Sequence, residues 1–269
     1  MSEAQGDLLA GFDPHPCALS SVALREVSIT FGRRYAVYRV SCSLRGGEVV
    51  ALLGDNGAGK TTLLRAMASL IAPHEGEIRY DDAWDVRRDR AALRAHLGLI
   101  AHESLLHPEL SGRENLALSA ALRDVPTREV ASWLELTRLV EAADRPVATY
   151  SRGMRQRLSV ARALLHRPSV VLCDEPLTGL DRRSQALFWE VVAGLKARGR
   201  LVVVVTHQLD VPVGALDRML LLRQGRLVAD LPVEGSLRDT LDRAEARGAG
   251  GGDSRSGGET SASTAEVVR

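Results

Sequence analysis

A glycine-rich segment, residues 54–62, has the residue types and spacing best suited to binding an anion. It follows the apolar run 49–53 and leads into the apolar segment 63–67. A strand, a glycine-rich turn, Lys-Thr and a helix are the context of a phosphate-binding loop, or P-loop. Its backbone N–H groups converge on phosphate oxygens, and the helix N-terminus favours the same anion. The predicted binding residues are Asn56, Gly57, Ala58, Gly59, Lys60, Thr61 and Thr62.

Two side chains of this loop have predicted roles of their own. Lys60 would reach the β- and γ-phosphates of a nucleotide, and the Thr61 hydroxyl would bind Mg²⁺. The alternative is a surface glycine loop before an ordinary helix, but every fixed position of the motif is present in order. The segment therefore predicts binding of a nucleoside triphosphate.

Two later apolar runs end in further candidate catalytic residues. Residues 170–173 read as a buried parallel strand and are followed by Asp174 and Glu175. Downstream of a P-loop, Asp174 would hold Mg²⁺ through a water, and Glu175 would polarise the attacking water. The run 201–205 ends near His207, which could approach the γ-phosphate. A single histidine at a strand end is more often structural, so His207 is a candidate only because of the other residues of the predicted site. The candidate catalytic residues are Lys60, Glu175 and His207.

The elements that position these residues follow from hydrophobic periodicity and turn signals. Residues 22–44 alternate like a hairpin broken at 32–34, and Phe31 lies beside that turn. From position alone, core packing is favoured over adenine stacking for Phe31. The pattern predicts further strands at 76–80, 97–101, 219–222 and 226–229. It predicts helices at 86–96, at 151–167, at 182–198 and at 236–246. A mostly helical block is predicted from Ser111, which begins it with a capping box, to about residue 139.

Composition limits the classes of protein that fit. The 269 residues allow one sizeable domain with appendages, and 45% of them are hydrophobic. A net charge of +1 gives no indication of a nucleic-acid partner, and none is expected. The three cysteines match no metal spacing. The N-terminus lacks the features of a signal peptide, and no apolar run approaches the ~20 residues of a spanning helix, so the chain is expected to be soluble.

The segment 150–157, Tyr-Ser-Arg-Gly-Met-Arg-Gln-Arg, resembles the signature motif of ABC ATPases. The P-loop, this segment, Asp174-Glu175, a D-loop at 178–181 and His207 also occur in the order of that family. The resemblance covers residues 22–235. It implies an α/β fold: a RecA-like P-loop NTPase core with an antiparallel β subdomain and a helical signature subdomain. The implied domains are a flexible leader at 1–20, an ATPase domain at 21–236 with its helical part at about 104–165, and a short helix and disordered tail at 237–269.

The resemblance also implies ATP and Mg²⁺ as ligands and ATP hydrolysis as the activity. Phe31 would be the aromatic residue that stacks on adenine. Ser151, Gly153 and Asp181 of one copy would face the nucleotide held by the P-loop of another. The partner would be a second identical copy or a closely similar ATPase.

This chain departs from the family pattern at two places. The commonest signature is Leu-Ser-Gly-Gly-Gln, but Tyr150, Arg152 and Met154 replace its first, third and fifth residues. The position where the family carries a glutamine that senses Mg²⁺ and the transport domain aligns with His102, followed by Glu103. Either residue could serve to couple the site to a partner.

Residues 100–110 together with the signature look like the ATP-binding subunit of the haem exporter of cytochrome c maturation. Drug and lipid exporter ATPases share most of these residues, and a soluble ABC ATPase of iron–sulfur cluster assembly remains an alternative. A DNA-repair or ribosome-associated ATPase would need a coiled-coil insertion or a second cassette. The leading interpretation implies separate transmembrane transport subunits and a peripheral location on the cytoplasmic face of the inner membrane.

Overall fold

A computed structural model describes residues 19–101 and 103–249. His102, the predicted leader up to residue 18 and the predicted tail from residue 250 lie outside the described residues. The strands are β1 (Ser21–Phe31), β2 (Arg34–Arg45), β3 (Val49–Gly54), β4 (Glu75–Tyr80), β5 (Trp84–Asp85), β6 (Leu97–Ile100), β7 (Val170–Asp174), β8 (Leu201–Val205), β9 (Arg218–Arg223) and β10 (Arg226–Pro232). The α-helices are α1 (Lys60–Met67), α2 (Arg90–Arg94), α3 (Gly112–Ala121), α4 (Arg128–Leu136), α5 (Arg152–Leu164), α6 (Arg182–Ala197) and α7 (Leu237–Ala249).

The central sheet has the order β10-β9-β3-β8-β7-β6. Its strands pair in parallel from β9 to β6, whereas β10 pairs antiparallel with β9. Residues in β7 and β8 are buried without alternation, as expected for strands covered on both faces. The carboxyl ends of β3, β7 and β8 therefore lie at one edge of the sheet, where ligands bind in open α/β sheets.

A second, antiparallel sheet has the order β2-β1-β4-β5. Side chains alternate along β3, so that Val49, Ala51 and Leu53 pack in one core cluster and Val50 and Leu52 in another. The first cluster joins the central sheet to helices α3 to α6, and the second joins it to α1 and the antiparallel sheet. This arrangement confirms the predicted fold class, a P-loop core with an antiparallel β subdomain.

The capping box predicted at Ser111 is present at the start of α3. The Ser111 hydroxyl accepts the backbone N–H of Glu114 at 3.2 Å, and the Glu114 carboxylate accepts the backbone N–H of Ser111 at 2.8 Å. These two bonds satisfy donors that a helix N-terminus would otherwise leave unpaired. This helix start could be predicted from the sequence because Ser111 and Glu114 are only three residues apart.

The predicted helix at 86–96 is wrong in extent, since α2 covers only Arg90–Arg94. Asp85 lies in the short strand β5, and its backbone N–H donates to the Asp89 carboxylate at 2.7 Å. The Asp85 carboxylate accepts the backbone N–H of Arg87 at 2.8 Å. Short aspartate side chains that bond to nearby backbone groups offer an alternative to the helix, which explains why the helix begins later.

Candidate functional site

The P-loop connects β3 to α1 and is packed against two other strands. A Cβ atom on Gly54 would lie 2.2 Å from the carbonyl oxygen of Leu222, and one on Gly59 would lie 2.1 Å from that of Ala36. Gly59 also has a φ of +100°, which favours glycine. These two glycines are required because the loop approaches neighbouring backbone too closely for any side chain.

Helix α1 begins directly at the loop. Gly59 is its N-cap, and within the described part of the chain no side chain caps it. The first N–H groups of a helix lack intrahelical acceptors, and the helix dipole places partial positive charge there. The start of α1 can therefore bind an anion such as phosphate.

Lys60 lies inside the loop, with only 6% of its surface exposed. Its ammonium donates to the carbonyl oxygens of Gly54 and Asp55, both at 2.8 Å. Burial lowers the pKa of Lys60, and the nearby carboxylates, Glu175 foremost, oppose that shift. A cation held in this way at the N-terminus of a helix is placed to bind phosphate oxygens.

Thr61 and Asp174 provide a pair of oxygen ligands. The Thr61 hydroxyl donates to Oδ1 of Asp174 at 3.1 Å, which joins the start of α1 to the end of β7. Within residues 19–101 and 103–249, there is no group of three or more His, Cys, Asp or Glu side chains that could hold a metal ion by itself. The pair fits Mg²⁺, which prefers oxygen ligands and often combines one or two protein groups with substrate phosphates.

Glu175 and His207 are brought together by the ends of β7 and β8. Oε1 of Glu175 lies 2.9 Å from Nε2 of His207. The backbone N–H of Glu175 donates to the carbonyl of Val205 at 3.0 Å, and the Thr178 hydroxyl lies 3.4 Å from Oε2. Glu175 has a φ of +51°, an uncommon conformation for a residue other than glycine. The loop therefore fixes the direction of this carboxylate.

Most of the predicted phosphate-site residues line a cavity of about 190 Å³. Its lining includes Lys60, Glu175 and the small residue Ala36 of β2. The other lining residues are Asn56, Gly57, Gly59, Thr61 and Thr62. Ala58 is buried beneath the loop, where its carbonyl accepts the backbone N–H of Gly225 at 3.1 Å.

Ala36 and Gly225 are site residues that the sequence reasoning missed. Gly225 lies in the turn between β9 and β10, and its carbonyl accepts the backbone N–H of Tyr38 at 2.8 Å. Together with its bond to Ala58, this contact joins the P-loop to β2. A glycine next to Gln224 predicted a turn, but nothing in the sequence indicated which loop that turn would contact.

Phe31 ends β1 beside the hairpin turn and is 59% exposed. In the partner strand β2, Tyr35 pairs with Thr30 and is 47% exposed, and the cavity residue Ala36 follows it. An exposed aromatic ring at the end of this hairpin does not serve core packing. That placement removes the argument for a core role of Phe31 and leaves its ring available to a ligand.

The signature residues lie at helix starts away from the P-loop cavity. The Ser151 hydroxyl accepts the backbone N–H of Met154 at 3.2 Å and caps α5. Asp181 caps α6 by accepting the backbone N–H of Ser184 at 2.7 Å, a bond that lowers the pKa of Asp181. Among the residues that the structure describes, the lining of the P-loop cavity includes neither Ser151, Gly153 nor Asp181.

The role predicted for His102 stays a prediction, because that residue is outside the described ranges.

The fold, the P-loop and the paired strand ends define an ATP-binding cassette of the P-loop class. The profile of the ABC transporter family matches residues 37–178. The chain belongs to this family, and it is an ATPase.

Named relatives and solved structures support this assignment. Nod factor export ATP-binding protein I of Rhizobium johnstonii (strain DSM 114642 / LMG 32736 / 3841) is 36% identical over 219 residues, which span 79% of this chain and 70% of that protein. The protein of the same name from Bradyrhizobium diazoefficiens is 36% identical over 218 residues, 79% of this chain and 71% of that protein. The resemblance to a haem exporter ATPase is not confirmed by these relatives.

Two solved structures share the fold. A dimeric ATP-binding cassette in a post-hydrolysis state bound to ADP and Pi has a TM-score of 0.73 at 25% identity and covers 80% of this chain and 99% of that one. An ATP-binding subunit of an ABC transporter has a TM-score of 0.76 at 25% identity and covers 83% of this chain and 99% of that one. None of the helices in residues 19–101 and 103–249 has the length and apolar character needed to cross a bilayer.

Proposed function

We propose that this chain is the ATP-hydrolysing subunit of an ABC exporter, in which two copies enclose two ATP molecules. The observation that carries the proposal is the convergence of Lys60, Thr61 and Glu175 on one cavity at the carboxyl edge of the sheet. A cation, an Mg²⁺-binding hydroxyl and a carboxylate for water activation are the groups that phosphoryl transfer to water needs.

Each polar group has a role that follows from its place. Lys60 and the loop N–H groups bind the β- and γ-phosphates, displacing the bonds of Lys60 to Gly54 and Asp55. Thr61 and Asp174 would hold Mg²⁺, and the bound ion would supply positive charge beside the phosphates. Glu175 orients and polarises the attacking water, and His207 holds the Glu175 carboxylate and faces the γ-phosphate.

A single copy does not complete this site. Ser151, at the start of α5, offers a hydroxyl and helix N–H groups to an anion, yet it is not in the lining of its own chain's cavity. A symmetric head-to-tail pair would place Ser151, Gly153 and Asp181 of each copy against the nucleotide of the other. The dimeric state of the solved ATP-binding cassette bound to ADP and Pi supports the pairing of two copies.

The chain would act with separate transmembrane subunits, as a peripheral protein at the cytoplasmic face of the inner membrane. The name of the relatives, Nod factor export ATP-binding protein, favours an exporter. The same name favours a Nod factor-like cargo over haem. The haem proposal is supported only by the resemblance of residues 100–110 and of the signature. His102 or Glu103, which follow β6 in the sequence, would couple the ATP site to the membrane subunits.

Co-purification tests the exporter proposal. The tagged full-length chain is expressed together with the membrane proteins encoded beside it, and detergent extracts are purified on the tag. We expect a stable complex whose ATPase rate changes when the membrane subunits are present. A chain that hydrolyses ATP but remains in the soluble fraction without any membrane subunit would instead support the iron–sulfur assembly alternative.

Phe31 is expected to bind the adenine ring. Because base–aromatic stacking contributes about 1–3 kcal/mol, Phe31→Ala should raise the KM for ATP about 5-fold to 150-fold. Phe31→Tyr keeps the ring and should keep the KM. Competitive inhibition by tripolyphosphate, which has no base, should be the same in all three proteins.

Tyr35 provides the competing explanation, since it is exposed on the neighbouring strand. A KM that rises in Tyr35→Ala but not in Phe31→Ala would assign the base contact to Tyr35 and contradict the proposal.

A further inference from the structure

Arg152, one of the signature residues that departs from the family pattern, packs its guanidinium against Gly179. A Cβ atom on Gly179 would lie 2.6 Å from Cζ of Arg152, 2.7 Å from Nη1 and 2.8 Å from Nε. All three atoms belong to one planar group, so the plane of Arg152 covers the face of Gly179. Gly179 has a φ of +71°, and a side chain there would be both strained and obstructed.

The segment that contains Gly179 leads back to the carboxylate of Glu175. The backbone N–H of Thr178 donates to the Glu175 carbonyl at 3.3 Å, and the Thr178 hydroxyl lies 3.4 Å from Oε2 of Glu175. Thr178 therefore contacts Glu175 on one side and is bonded covalently to Gly179 on the other. Thr178 is therefore a direct structural connection between Gly179 and the side chain proposed to activate water.

The starts of α5 and α6 are also packed together near this segment. A Cβ atom on Gly153 would lie 3.3 Å from the Ser184 hydroxyl oxygen, and Ser184 in turn donates its backbone N–H to Asp181. Arg152, at the start of α5, covers Gly179 in the loop between Glu175 and Asp181. The signature and the D-loop of one chain thus form a single packed unit.

We propose that Arg152 is a positioning residue that holds the segment 178–181 and, through Thr178, the carboxylate of Glu175. The inference rests on the proposed function, in which Glu175 activates water. In the proposed dimer, Arg152 belongs to the signature that completes the partner copy's ATP site, whereas Glu175 acts at the site of its own chain. Arg152 consequently links the two sites.

A rival role for Arg152 is simple charge attraction to the partner's ATP. Lysine separates the two roles because it keeps the positive charge but lacks the planar guanidinium that covers Gly179. If packing is the mechanism, Arg152→Lys should behave like Arg152→Ala. A lysine variant with the wild-type kcat, beside an impaired alanine variant, would overturn the proposal in favour of charge.

The first test is steady-state ATP hydrolysis by the purified full-length chain. Since misplacing a catalytic group by about 1 Å can cost about 100-fold, we expect kcat to fall about 10-fold to 100-fold in Arg152→Ala and Arg152→Lys. The KM for ATP should stay within about twofold, because the P-loop is untouched. The matched control is Arg128→Ala: Arg128 is an exposed arginine at the first position of α4, as Arg152 is in α5, and its removal should change neither constant.

An unchanged kcat in Arg152→Ala, or a KM that rises together with a fall in the melting temperature, would overturn the positioning role. The second test is a double-mutant cycle with Gly179→Ala. The new methyl group meets the guanidinium in the wild-type background but not in Arg152→Ala, so its effect on kcat should be smaller in the second background. Additive effects would overturn the proposed contact.

ATP hydrolysis by the wild-type chain distinguishes a failure of the proposed function from a failure of the role of Arg152. A wild-type chain that cannot hydrolyse ATP under any condition would refute the proposed function and this inference together. A wild-type chain that hydrolyses ATP, with Arg152 variants that match it, would refute only the role of Arg152.

Discussion

Replacing Glu175 by glutamine is expected to abolish steady ATP hydrolysis and to leave ATP binding intact. Glutamine preserves the shape of the side chain and an oxygen 2.9 Å from Nε2 of His207, but it cannot act as a general base. Because positioned general bases contribute about 10²-fold to 10⁴-fold, kcat should fall by that factor. Phosphate release measures kcat, and titration with fluorescent ATP measures affinity.

Glu190→Gln is the matched control, since Glu190 is exposed on α6. That control should hydrolyse ATP at the wild-type rate. A Glu175→Gln protein with normal turnover would show that another group activates the water, and His207 would be the next residue to examine.

Lys60→Ala should impair nucleotide binding itself. The ammonium is expected to exchange its two backbone contacts of 2.8 Å for charge-assisted bonds to phosphate oxygens. Hydrogen bonds to charged groups contribute about 1.5–3 kcal/mol each, so each lost bond should weaken ATP binding about 10-fold to 150-fold. Isothermal titration calorimetry with ATP measures the loss directly.

Calorimetry with adenosine provides the internal control for Lys60→Ala, because adenosine carries no phosphate and should bind both proteins alike. An unchanged melting temperature would show that the fold is intact. Wild-type affinity for ATP in this variant would contradict the assignment of the P-loop.

Much of this site could be predicted because its signals are local in sequence. The apolar runs that became β3, β7 and β8 lead into the P-loop, Asp174-Glu175 and His207 respectively, and parallel strands bring those ends to one edge. The expectation that His207 approaches the catalytic region followed from that geometry. Its contact of 2.9 Å with Glu175 is a finding of the structure.

What could not be predicted depends on tertiary contacts between distant segments. Ala36 lines the cavity and Gly225 holds Ala58 from beneath, but neither residue type indicates a ligand. Arg152 appeared only as a departure from a motif, and its packing against Gly179 became visible once α5 and α6 were placed together. The length of α2 was overestimated because the bonds of Asp85 and Asp89 compete with the helix.

The central claim is that the ATP site of one copy is completed by Ser151 of another. Sedimentation of Glu175→Gln with ATP, compared with Glu175→Gln/Ser151→Asp, tests it most directly. Aspartate still caps a helix, so α5 should persist, while its charge should repel a γ-phosphate. We predict an ATP-dependent dimer for the single variant and, for the double variant, a monomer that still binds ATP through its own P-loop. Equal dimerisation of both proteins, or no dimer in either, would contradict the shared site.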